Sequence, residues 1–384
     1  MTTSRAPTLD EITYSQSPFK IDYAMKNLVR MNLNENLVLP QSFLRSVSVR
    51  CLDKLDLRNY PSSLNEGEMF SLVQEISKYC NCSTEMISVG AGGDQLIDLL
   101  IRMRLKKSSD TLVTVDPTFP LYSMMAKRVG ARVVRIPLAP FNSRDSQSSF
   151  SLPLEELLNA CKAKGSKLLA LASPNNPTGV QYPLDQVRRM LELIPKNVTI
   201  LLDEAYVEYA NYSGLNLLSS YPNLVILRTF SKAFALASQR LGYIMCSDTD
   251  FVGEFTQGHQ YPYPIASFSV ALGIELMKRK GVVLDAANKT KILRAELTQS
   301  LVDLGKRKKS GRPPFVQASD SSANFVLFQC KNSGRIAQKL LQTYSIAVKY
   351  IEKIGQEREF LRITVGTREL NERLLFALRR VTAE

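Results

Sequence analysis

Between Ile87 and Met245 the chain alternates short apolar runs with amphipathic stretches, and this alternation limits the folds open to it more than any other feature. Runs at Ile87–Gly90, Thr111–Val115, Arg132–Ile136, Lys167–Ala172, Val198–Leu202, Leu224–Leu227 and Leu241–Met245 have the length and residue content of strands. Between them, Gln95–Leu105, Leu121–Val129, Pro153–Ala163 and Leu184–Leu193 read as helices. This order predicts an α/β fold with a mostly parallel sheet and helices on both faces. Ligands in such sheets bind in the crevice outside the carboxyl ends of the strands.

The flanking regions follow a different grammar. Residues 1–30 are polar with little periodicity and read as an arm. A helix is expected from about Ser42 to Leu55, and Glu68–Tyr79 carries Phe70, Leu72, Val73 and Ile76 at helical spacing. From about Ser267 come two helical stretches, Ala271–Lys280 and Leu284–Leu304. A strand follows at Asn324–Gln329, a helix at Ile336–Tyr344, a strand at Leu361–Val365 and a last helix at Glu369–Arg380. The expected division is an arm (1–30), a large domain (59–266), and a smaller α+β domain built from 31–58 with 267–384.

Composition removes several classes of function. A single histidine, His259, argues against a histidine-rich metal site and against a Ser-His-Asp triad, so no metal is expected. The six cysteines form no C-x-x-C pair and fit free thiols in a reducing compartment. No apolar leader or membrane-length run is present, which makes the cytoplasm the expected location, with no membrane partner. The net charge of +13 suits anionic ligands. Its two densest runs, Lys278–Lys280 and Lys306–Lys309 with Arg312, read as solvated helix ends and a loop, not as a nucleic-acid surface.

Polar residues fall just beyond the predicted strand ends. Gly92, Gly93 and Asp94 separate the first strand from its helix, marking either a plain tight turn or an anion site at a helix N-terminus. Asn176, Asp203 and Lys232 follow three successive strands, with Tyr206, Ser231 and Arg240 close by in sequence. Taken alone, each has an ordinary structural use, and a Ser-Lys pair beside a strand is usually a solvated loop. Together, an amine, a carboxylate and an anion site at one crevice match the needs of pyridoxal 5'-phosphate. Its aldehyde takes an amine, its ring nitrogen a carboxylate, and its phosphate N–H groups, a hydroxyl and an arginine. Asn176 and Tyr206 can hydrogen-bond the ring hydroxyl, and Phe119 can cover the ring face.

The segments S-P-N-N-P-T-G (173–179), L-L-D-E-A-Y (201–206), T-F-S-K-A-F-A-L-A-S-Q-R-L-G-Y (229–243) and L-R-I-T-V-G-T (361–367) resemble the fold-type I aminotransferases, and most closely the histidinol-phosphate aminotransferase family. The resemblance runs from about Asn32 to the C-terminus. It implies Lys232 as the Schiff-base lysine and proton carrier, Asp203 as partner of the pyridine nitrogen, and Asn176 and Tyr206 at the ring hydroxyl. Phe119 falls on the ring-stacking position, where the family usually has tyrosine. Gly92, Gly93, Asp94, Ser231 and Arg240 match the phosphate cup. Tyr60 matches a tyrosine that reaches the neighbouring subunit's phosphate, implying a homodimer with shared sites. Arg362 matches the arginine that takes the anionic end of the substrate, with Lys349 on a second arginine position and Asn34 and Phe19 on further substrate-binding positions.

The implied reaction is transamination of L-histidinol phosphate with 2-oxoglutarate, giving imidazole-acetol phosphate and L-glutamate, in histidine biosynthesis. Threonine-phosphate decarboxylase and aromatic-amino-acid transaminase are the alternatives on the same fold. A transcription regulator built on this fold would need a helix-turn-helix module ahead of the cofactor domain, for which the arm is expected to leave no room. Three departures bear on the substrate. Leu37-Val38 follows Asn34-Glu35-Asn36 where the family has Pro-Tyr, Phe19 replaces a tyrosine, and Lys349 keeps charge without arginine's bidentate fork.

Overall fold

The structure, a computed structural model, describes residues 20–63, 66–142, 149–306 and 315–383. Phe19, most of the expected arm and part of the basic run at 306–312 lie outside the described residues. The first strand is β1 (Val29–Met31). Seven strands then form one sheet: β2 (Ile87–Gly90), β3 (Thr111–Asp116), β4 (Arg132–Pro137), β5 (Ser166–Ala172), β6 (Thr199–Asp203), β7 (Leu224–Thr229) and β8 (Gly242–Met245). Their order is β2-β8-β7-β6-β5-β3-β4, and β8 alone runs against the rest. The α/β expectation is borne out.

Two-residue alternation gives the sheet two apolar faces. Leu169 and Leu171 of β5 join one core, while Leu168 and Ala170 join the other, with Val225 and Leu227 of β7. Each leucine buried this completely contributes about 1.5–3 kcal/mol over leaving it exposed. Helices Gly92–Arg104 and Leu121–Arg128 cover one face. On the other, the core continues unbroken to a second sheet.

That second sheet has the order β1-β11-β12-β10-β9, from β9 (Val316–Gln317), β10 (Phe325–Gln329), β11 (Ile346–Ile354), β12 (Glu357–Thr364) and the early β1. Neither β1 nor β11 is signalled by the residue pattern. Val29, Arg30 and Met31 become a strand by pairing in parallel with Ile346, Ala347 and Val348. A segment from near one end of the chain is thereby stitched to one from near the other.

Next to Asp203, Glu204 is gripped by Arg228. The arginine's Nε and Nη2 donate to Oε2 at 3.0 and 2.9 Å, both side chains are almost wholly buried, and Ser213 and the Gly214 N–H donate to the same carboxylate. This pair ties the ends of β6 and β7 together where two of the polar residues singled out from the sequence emerge.

Candidate active site

Parallel pairing sets β5, β6 and β7 side by side, with Ala172 opposite Asp203 and Asp203 opposite Leu227. Their carboxyl ends therefore open on one crevice. A cavity of about 200 Å³ lies there, lined by Asn34, Gly93, Asp94, Phe119, Asn176, Asp203, Tyr206, Ser231, Lys232, Arg240, Lys349 and Arg362. Asn32, Leu33 and Thr229 complete much of the wall.

The floor is Asp203. It is 5% exposed, and burial pushes its carboxyl up to about 6 against the opposing pull of two hydrogen bonds. Tyr122 Oη donates to Oδ2 at 2.5 Å, and the Ala205 N–H donates to Oδ1 at 3.0 Å. Lys232, in the loop after β7, donates from Nζ to the Leu33 carbonyl at 3.3 Å and lies 5.6 Å from the centre of the Tyr206 ring.

Tyr206 is itself held on two sides. Asn34 Nδ2 donates to its hydroxyl at 3.0 Å, and the Phe325 ring meets it edge-on. Asn34 is fixed in turn by its own N–H, donating to Thr364 Oγ1 at 3.0 Å. Asn34 was expected among the substrate contacts; its side chain lines the cavity while its amide carries the phenol of Tyr206.

Part of the cavity wall comes from the start of the Gly92–Arg104 helix and from the loop after β7. Gly92 opens its helix at φ +82°, a conformation that costs an L side chain about 1–2 kcal/mol. A Cβ there would also stand 3.0 Å from the Arg240 guanidinium. Arg240 Nη2 donates to Asp94 Oδ2 at 2.9 Å, and Ser231 is turned inward by its N–H bond to Thr229 Oγ1 at 3.1 Å. Gln95 folds back to accept the Ala91 N–H at 2.6 Å, tightening the helix start.

The second sheet contributes Arg362 and Lys349. They stand opposite each other on β12 and β11. Arg362 donates to Asn176 Oδ1 and to the Asn32 carbonyl, at 2.5 and 2.7 Å, and lies over the Phe325 ring. Burial, and then the charge of Arg362, pull the Lys349 amine down to about 8. Four basic side chains thus line a cavity that holds two carboxylates, Asp94 and Asp203, which suits ligands with more than one anionic group.

Two of the expected residues stand apart. Gly92 shapes the cup through its backbone and is not itself on the wall. Tyr60 is 84% exposed and stacks on Tyr263, 5.4 Å between ring centres. It takes no part in the cavity formed by its own chain. Tyr122 was missed by the reading of the sequence. Its only signal there is its place three residues after Phe119, at the start of the expected helix, where the two rings meet edge-to-face at 5.5 Å.

The donor set fits pyridoxal phosphate. A primary amine, a buried carboxylate, an amide with a phenol, and a guanidinium that a Cβ on Gly92 would crowd lie around one space. The sequence model of class I and II aminotransferases matches residues 30–378. The chain belongs to this family, whose enzymes depend on pyridoxal phosphate.

Within it, the chain is similar to histidinol-phosphate aminotransferases. It is 30% identical to histidinol-phosphate aminotransferase 1 of Legionella pneumophila (strain Lens), over 87% of this chain and 86% of the relative. The identity is 32% to the histidinol-phosphate aminotransferase of Thermococcus kodakarensis, covering 79% of each chain. Among solved structures, that of histidinol-phosphate aminotransferase from Sinorhizobium meliloti in complex with pyridoxal-5'-phosphate superposes with a TM-score of 0.79 at 23% identity, covering 92% of this chain and 91% of the other. L-threonine-O-3-phosphate decarboxylase from Porphyromonas gingivalis superposes at 0.74 and 17% identity, over 93% and 100%. At such identities these two likenesses establish the fold alone.

Proposed function

We propose that the protein transfers the amino group between L-histidinol phosphate and 2-oxoglutarate, giving imidazole-acetol phosphate and L-glutamate, the transamination step of histidine biosynthesis. The observation that carries this reading is the pairing of Arg362 and Lys349 on the second sheet, in the same cavity as Arg240 and Lys232. Arg240 would hold the cofactor phosphate, which would leave Arg362 and Lys349 for an anionic substrate. The curated relatives bearing the name histidinol-phosphate aminotransferase support the choice.

When bound, pyridoxal phosphate supplies an aldehyde for amines and a ring that accepts the electron pair freed at the substrate carbon. The residues of the chain hold and serve it. Arg240, Ser231 and the N–H groups at the Gly92–Arg104 helix start bind the phosphate by charge and hydrogen bonds. Asp203 would face the ring nitrogen and favour its protonated form. Asn176 and Tyr206 would orient the ring by its hydroxyl, and Phe119 would cover one face. Lys232 Nζ would hold the aldehyde and, as a free amine, would carry a proton at the substrate carbon.

Two coarser features belong to the same reading. The enzyme works as a homodimer in which each subunit's exposed Tyr60 serves the other's phosphate cup, and it acts in the cytoplasm. Among the described residues no helix is long and apolar enough to cross a membrane.

The test is a half-reaction without keto acid. Purified protein is mixed separately with L-histidinol phosphate, L-phenylalanine and L-threonine phosphate while the long-wavelength absorbance of the cofactor is followed. Loss of that absorbance with histidinol phosphate alone is the expected result. Equal loss with phenylalanine would make it a broad aromatic transaminase, and carbon dioxide released from threonine phosphate would make it a decarboxylase.

A further inference from the structure

Asp203 owes its setting to a residue outside every motif that carries the family resemblance. Tyr122 is the second residue of the Leu121–Arg128 helix, is fully buried, and points its hydroxyl at Asp203 Oδ2. The 2.5 Å separation falls in the range of a phenol donating to an ionised carboxylate. With the Ala205 N–H on Oδ1, each carboxylate oxygen has one donor, and two donors on opposite oxygens fix the plane of the group. Burial makes the charge of this carboxylate costly, so it depends on the donors that the fold supplies. Tyr122 supplies the one that comes from a side chain.

The placement also links two parts of the site. Phe119 lines the cavity at the expected ring face and meets Tyr122 edge-to-face, so one helix start sets both the surface above the ring and the donor beneath the carboxylate.

We propose that Tyr122 is a positioning residue for the cofactor: its hydroxyl keeps Asp203 ionised and turned toward the ring nitrogen of pyridoxal phosphate. The inference rests on the cofactor reading above. It differs from a purely structural role in one respect. A tyrosine that only fills the core would matter equally to any ligand of the same shape, whereas a tyrosine acting through Asp203 matters only to a ligand with a ring nitrogen.

The test is binding by the apoprotein of pyridoxal phosphate and of its 1-deaza analogue, in which a C–H replaces the ring nitrogen. Both are measured by titration calorimetry for the native protein and for Tyr122→Phe, which keeps the ring volume. The expected result is a loss of about tenfold or more in affinity for pyridoxal phosphate, the scale of one hydrogen bond to a charged group. Affinity for the deaza analogue stays within about twofold, since the bond at stake is not made to it. A second variant, Tyr122→Phe with Asp203→Asn, is expected to bind pyridoxal phosphate no more weakly than Asp203→Asn alone. Equal losses for both ligands, or none for either, would overturn the inference and leave Tyr122 a core residue. Native protein that binds neither ligand would overturn the cofactor reading itself, and this inference with it.

Discussion

Asp203 is held in a condition that costs the empty protein stability. Its carboxyl is raised from 3.8 to about 6, so the folded chain binds the proton more tightly than the unfolded chain does. Below the unfolded value both states are neutral and the penalty vanishes. It grows as pH rises from about 4 to 6 and is complete above that, reaching up to about 3 kcal/mol at pH 7. Asp203→Asn should therefore raise the melting temperature of the apoprotein at pH 7, with a smaller gain at pH 4, while greatly weakening cofactor binding. A lower melting temperature at pH 7 would contradict this account. Lys349 gives a second dependence with the opposite charge. Its amine carries a proton below about 8 and loses it above, so KM for a phosphorylated substrate should climb with pH. The rise should reach about tenfold by pH 9, and Lys349→Arg, which stays charged, should flatten it. These consequences lie in burial and neighbouring charge, which no motif contains. The same is true of Tyr122, whose role comes from a hydrogen bond between residues 81 positions apart.

Elements were legible where the residue pattern has one cause. The strands of the large sheet are apolar because both their faces are buried, and their alternation with helices points to the crevice without any knowledge of side-chain placement. Strand β11 went unseen because Lys349, Glu352 and Lys353 interrupt its apolar run. The strand exists because β1 and β12 pair with it on either side, a property of residues far away in sequence. The glycines before the Gly92–Arg104 helix allowed two readings, a turn or an anion site. The positive φ of Gly92 and the nearness of Arg240 favour the second. Gly92→Ala should lower stability by about 1–2 kcal/mol through backbone strain and weaken pyridoxal phosphate binding further by displacing Arg240. Gly93→Ala has no positive φ to pay for and meets only the end of Leu227 at 3.3 Å. Melting curves and calorimetry on the two variants should rank Gly92 as the more damaging position for both properties. A larger loss at Gly93 would show that the helix start, not the cup, is the sensitive part.

At the scale of the whole molecule, Tyr60 and Lys232 provide a test of shared sites. If the proposed homodimer shares its sites, Tyr60→Ala and Lys232→Ala proteins should each lack turnover. Subunits mixed, unfolded and refolded together should regain it, because a hybrid dimer combines one subunit's lysine with the other's tyrosine. Mixed protein as inactive as its parents would mean that each chain builds its site alone. The cavity also joins distant parts of a single chain. Asn34 rests on Thr364, 330 positions away, the Asn32 carbonyl receives Arg362, and Leu33 receives the amine of Lys232. During synthesis the large sheet is complete once residue 245 has left the ribosome, more than a hundred residues before β12 emerges. A chain halted between these points carries Lys232, Asp203 and Arg240 but not Arg362 or Thr364, so the crevice takes shape before the wall that β12 adds to it.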